Sequence, residues 1–84
     1  MTSTEANYII FLHFIRQARL DSEITQQELA KNLQKPQSFV SKYESGERKL
    51  DVIEFIEICK VLNLDSGDFL KQIERKINET QSAV

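Results

Sequence analysis

The chain has 84 residues, enough for one domain with a modest core. One proline and two glycines leave little room for the turns of a sheet, so the class is all-α, and the single cysteine, Cys59, excludes an internal disulfide and offers no zinc site. The net charge of −2 gives no overall attraction to nucleic acid, so the distribution of charge matters more than its sum.

Residues 1–4 have nothing to anchor them and are expected to be a flexible tail. A first helix is expected over 5–20, with Phe11, Leu12, Ile15 and Ala18 facing the core and Ile9, Ile10 and Phe14 partly round the other side. A helix apolar on more than one face is either central or shared with another subunit. Its most apolar run, YIIFLHFI over 8–15, is too short to cross about 30 Å of hydrocarbon and lacks the flanks of a signal segment. No membrane is implied, and a reducing cytoplasm fits the thiol count. His13 is expected to be partly buried or interfacial rather than catalytic, because no second catalytic group accompanies it.

Over 25–46 the pattern becomes specific. Thr25 can cap a helix beginning at Gln26, with Glu28 in the reciprocal position, and Leu29, Ala30 and Leu33 form its inward stripe. Gln34, Lys35 and Pro36 make a turn, since proline suits the first turn of a helix and moves the residue before it away from helical angles. In the next helix Val40 and Tyr43 face inward, Gln37, Ser38, Ser41 and Lys42 face outward, and Gly46 stands where a left-handed stop is needed. Asp51, with Glu54 in the reciprocal position, caps a fourth helix whose core stripe is expected to be Val52, Phe55, Ile56, Cys59 and Leu62. Asn63 ends it. Asp65 or Ser66 starts the last helix, carrying Phe69, Leu70, Ile73 and Ile77 and ending about Asn78, with 79–84 a second flexible tail. One domain over 5–78 results.

The 25–46 segment resembles the helix-turn-helix of the phage Cro and repressor group, also called the Xre type. The residues that carry the likeness are Gln26, Glu28, Leu29, Ala30, Leu33, Val40, Glu44 and Gly46, and it extends from about Ile15 to Leu64. Two positions depart from the pattern: many relatives have glycine where this chain has Gln34 and an apolar residue where it has Lys35. The resemblance implies a five-helix, phage-repressor-like DNA-binding domain whose helices 2 and 3 form the motif. It also implies that Arg19 pairs with Glu44 and that Gln26 clamps a phosphate.

The function expected is sequence-specific binding of duplex DNA by a transcriptional regulator of repressor type. Between Lys31 and Lys49 five cations face two anions, a local +3 that leaves −5 on the rest of the chain. Gln37, Ser38, Ser41 and Lys42 are the candidate base-reading residues; Thr25, Gln26, Lys35, Arg48 and Lys49 are candidates for the DNA backbone. Phe39 either packs on the domain or touches a thymine methyl, and packing is the favoured reading.

Ile9, Ile10, Phe14, Ile53, Ile58, Phe69, Ile73 and Ile77 can join into a patch for a homodimer that reads an inverted repeat. Alternatively the last helix folds back over the first, and the patch becomes monomer core. A rival reading makes the chain an antitoxin-type module that grips another protein and binds DNA only for autoregulation. An enzyme is not expected, for one histidine and one cysteine form no nucleophile or acid–base set, and no cofactor or metal is implied.

Overall fold

Helix boundaries in this chain are set by side chains at fixed offsets. The computed structural model describes residues 3–82, with the side chains of 4–80, as α1 Ser3–Asp21, α2 Gln26–Leu33, α3 Gln37–Ser45, α4 Val52–Val61 and α5 Ser66–Ser82. Among the described residues there is no strand. The Thr25 hydroxyl accepts the Glu28 N–H at 3.1 Å while the Glu28 carboxylate accepts the Thr25 N–H at 3.0 Å, and that contact holds the carboxyl below its ordinary pKa. Asp51 and Glu54 make the same reciprocal pair at α4, at 2.8 and 3.0 Å. Asp65 accepts the Asp68 N–H at 2.9 Å and starts α5. Pro36, extended at φ −68° and ψ 154°, opens α3 with no side-chain cap.

Three helices end alike. Glu23, Gln34 and Asn63 have φ of 58°, 59° and 58°. The N–H of the residue after each closes on a carbonyl five positions back, Ile24 on Arg19 at 3.3 Å, Lys35 on Ala30 at 2.9 Å and Leu64 on Cys59 at 2.8 Å. Each closure reverses the chain without a glycine. Gly46 stops α3 at φ 85°, a conformation that strains any other residue, and a Cβ there would also lie 3.3 Å from Leu12 Cδ1, a tight approach that the leucine side chain would have to give way to.

The core is Ile15, Leu29, Ala30, Val40, Tyr43, Phe55, Ile58, Cys59, Leu62, Phe69 and Ile73. A row of rings ties the ends of the chain to it: Phe11 lies 5.6 Å from Phe55, Phe55 stacks 6.0 Å from Phe69, and Phe69 meets the edge of Phe14 at 6.3 Å. α5 therefore packs back on α1. Burial raises the Cys59 thiol to about 11, which leaves it an apolar filler. The Tyr43 hydroxyl is buried with no hydrogen-bond partner among the described residues, and burial raises its pKa too.

Several expectations need correction. Ile58, Phe69 and Ile73, expected in a dimer patch, are monomer core, and Phe14 and Ile77 are half-buried against that core. Val52, expected inside, is 64% exposed, because the first turn of α4 projects past the core; the inward stripe is Phe55, Ile58, Cys59 and Leu62 instead. Leu70 is exposed as well, since Phe69, Ile73 and Ile77 take the inward face of α5. His13 is exposed, its ring 6.4 Å from that of Phe14. The expected tail at 79–84 is helix as far as Ser82, with no glycine or proline to stop it; Met1, Thr2 and 83–84 lie outside the described residues.

A left-handed non-glycine residue costs about 1 kcal/mol. Gln34→Gly, at an exposed position, should therefore raise stability by about 0.5–1 kcal/mol, read as a higher urea midpoint at unchanged slope.

Candidate nucleic-acid interface

α3 has two sharply different sides. Val40 and Tyr43 are wholly buried, while Gln37, Ser38 and Lys42 are exposed and Ser41 is half-buried on the same outward arc. The serine hydroxyls turn back onto their own helix, Ser41 donating to the Ser38 carbonyl at 3.3 Å and Ser45 to that of Lys42 at 3.0 Å. Gln37 and Lys42 are thus the long polar side chains standing clear of this surface.

What orients the arc is the carboxylate of Glu44, at the far end of α3. Arg19 donates to it twice, from Nε at 2.7 Å and Nη2 at 3.1 Å, and donates a third bond from Nη1 to the Ile24 carbonyl at 2.8 Å. Gln26 Nε2 donates to the same carboxylate at 3.0 Å. The ion pair is buried, its side chains 7% and 4% exposed, and the bond to Glu44 raises the Arg19 pKa against the opposing effect of burial. α1, the turn after it, α2 and α3 all meet at this one group. Gln26 therefore fixes the motif internally with one of its amide hydrogens, and the Thr25 side chain is engaged in its cap.

The cations after α3 divide in the same way. Arg48 makes a two-pronged contact with Glu54, at 3.0 and 2.8 Å, donates to the Lys49 carbonyl at 3.2 Å, and lies 4.9 Å from the Phe39 ring centre. It holds the Glu54 carboxyl below its ordinary pKa and braces the loop onto α4. Lys49 stands over the Tyr8 ring at 4.3 Å, and the Tyr8 hydroxyl accepts the Leu50 N–H at 3.1 Å. Lys35 lies 5.6 Å from the Phe39 ring centre. Phe39 is half-buried, edge-on to Tyr43 at 5.5 Å, so it packs on the domain and seats two cations.

The structure thus gathers Arg19, Gln26 and Glu44, leaves Gln37, Lys42, Lys35 and Lys49 outward, and neutralises Arg48. Sequence reasoning passed over Glu54 as the partner of Arg48, and it passed over Arg16, which lines a shallow depression of about 180 Å³ together with Gln26, Ser41, Glu44 and Ser45. The signal for Arg16 was its place three residues before Arg19, on the side of α1 that faces the motif. Among the described residues no cluster of three or more histidine, cysteine, aspartate or glutamate side chains could hold a metal, and no helix is long and apolar enough to cross a membrane.

Comparison with known proteins gives concordant results. A helix-turn-helix family model matches residues 15–69. An XRE-family like protein from Pseudomonas syringae pv. tomato str. DC3000 is 44% identical, superposes with a TM-score of 0.83, and is matched over 87% of this chain and 89% of that one. The clp gene regulator ClgR from Corynebacterium glutamicum, at 18% identity and a TM-score of 0.76 over 92% and 82% of the two chains, shares the fold. No curated protein matches.

Arg19→Ala strands a buried carboxylate and should cost about 3–5 kcal/mol in urea unfolding, whereas Arg19→Met combined with Glu44→Leu should recover most of the loss.

Proposed function

The chain belongs to the Xre-type helix-turn-helix family of DNA-binding transcription regulators, and from that premise we propose that it is a homodimeric repressor that reads an inverted repeat with α3 in the major groove. The observation that carries this reading is the split character of α3: one side is locked in the core and pinned by Glu44, the other presents Gln37, Ser38, Ser41 and Lys42 outward.

A major groove about 12 Å wide accepts one such helix. Gln37 can bond N6 and N7 of an adenine with both ends of its amide, and Lys42 can reach guanine or a phosphate. Ser38 adds a single bond, and Ser41 another once its hydroxyl rotates off the Ser38 carbonyl. Thr25 and Gln26, at the positive end of α2, approach a phosphate through backbone N–H groups and the remaining amide hydrogen of Gln26. Lys35 and Lys49 supply the mobile positive charge, while Arg48, held by Glu54, shapes the loop and contributes less of it.

For the dimer, the large apolar residues exposed among the described residues are Ile9 and Ile53 from the expected set, with Leu20, Val52 and Leu70. Val52 and Leu70 flank a shallow groove of about 290 Å³ whose floor includes Phe11, Leu50 and Phe55. This groove adjoins the Tyr8 and Lys49 contact, and a two-fold dimer that reads an inverted repeat needs its two α3 helices about 34 Å apart, on successive turns of DNA.

Selection from a random duplex pool should return an inverted repeat. Gln37→Ala should lose about 1–3 kcal/mol at one base position, and Lys49→Ala should weaken all sequences alike and flatten the salt slope by about one. Equal losses for Gln37→Ala on selected and random duplexes would overturn the base-reading assignment. Leu70→Glu should shift the free protein from dimer to monomer in sedimentation without changing its helix content; an unaltered mass would remove this face from the dimer.

A further inference from the structure

We infer that Arg16 binds a backbone phosphate of duplex DNA on the edge of α3 opposite to the cations of the loop that follows it; the inference rests on the DNA-binding reading above. At about 100° per residue, the outward arc of α3 runs from Gln37 through Ser41, Ser45 and Ser38 to Lys42. One edge of that arc borders Phe39, where Lys35 and Arg48 sit against the ring. The other edge borders the depression lined by Arg16, Gln26, Ser41, Glu44 and Ser45. A helix lying in a major groove has phosphates along both flanks. Of the residues lining the depression, Arg16 supplies the available positive charge.

The donors in the depression decide which group meets the phosphate. A phosphate ester oxygen only accepts hydrogen bonds. The Ser41 and Ser45 hydroxyls donate to helix carbonyls, and one amide hydrogen of Gln26 is spent on Glu44. Glu44 itself does not repel an incoming anion strongly, because Arg19 pairs with it and only 4% of its side chain is exposed. Arg16 is exposed, has no ion pair among the described residues, and has Leu12, His13, Arg19 and Leu20 at the helical neighbour positions where a carboxylate partner would stand. Its guanidinium keeps all five N–H donors for a ligand. Beside the Gln26 amide it forms a two-residue clamp from α1 and α2 on one phosphate.

The test is the salt dependence of binding to the selected duplex and to a random one, for the full chain and for Arg16→Gln, Arg16→Lys and Arg75→Gln, the last removing the same charge from α5. The assignment expects Arg16→Gln to make the slope of log K against log salt shallower by about 0.9 on both duplexes, Arg16→Lys to restore most of it, and Arg75→Gln to leave it unchanged. Ethylating the contacted phosphate should weaken the unmodified chain more than it weakens Arg16→Gln, which keeps only the Gln26 half of the clamp. An Arg16→Gln slope equal to that of the unmodified chain, or a change matched by Arg75→Gln, overturns the assignment alone. Absence of salt-dependent duplex binding by the unmodified chain overturns the DNA-binding reading with it.

Discussion

One carboxylate organises this domain. Glu44 ends the outward-facing helix and receives three hydrogen bonds, two from Arg19 and one from Gln26, while Arg19 reaches on to the Ile24 carbonyl. Three helices and a turn are thereby referred to a single point. Two buried charges gain little net stability from meeting, because removing each from water costs about as much as their attraction returns. What they fix is geometry, since a guanidinium and a carboxylate joined by two parallel bonds admit little rotation. The outward face of α3 is therefore presented at a set angle, whatever the exposed side chains do.

Hydrophobic packing has a different task. The rings of Phe11, Phe55, Phe69 and Phe14 run from α1 through α4 to α5, and with Ile58 and Ile73 they close the side of the domain away from the motif. In a chain of 84 residues the last helix is needed to complete the core, and without α5 the inner faces of α1 and α4 would stand open to water. Among the described residues the large apolar side chains left exposed are Ile9, Leu20, Val52, Ile53 and Leu70. Val52 and Leu70 of that remnant line a groove that reaches Tyr8 and Leu50, next to Lys49.

Charge is sorted by the same logic. The chain as a whole is acidic, yet three carboxylates near the motif are spent internally, Glu44 on Arg19, Glu54 on Arg48 and Glu28 on the cap of α2, and Glu47 is left exposed in the loop. The cations left over, Lys35, Lys42, Lys49 and Arg16, surround the outward side of α3. Because salt screens exposed charges beyond about 10 Å, this local surplus governs attraction to phosphate and the net −2 does not.

Much of the fold could be read from residue order alone. Thr25 with Glu28, Asp51 with Glu54, Pro36 and Gly46 act on backbone groups within four positions of themselves, so their effects are local and legible. The inward pairing of Val40 with Tyr43 follows from helical period for the same reason. Periodicity marks which face of a helix is apolar but is silent on what will cover it. Only tertiary packing decided that Ile58, Phe69 and Ile73 lie inside while Val52 and Leu70 remain in water, that Arg48 spends its charge on Glu54, and that Arg16 comes to stand beside Ser41. Each of those outcomes depends on distances between helices, and such distances are set when the core closes.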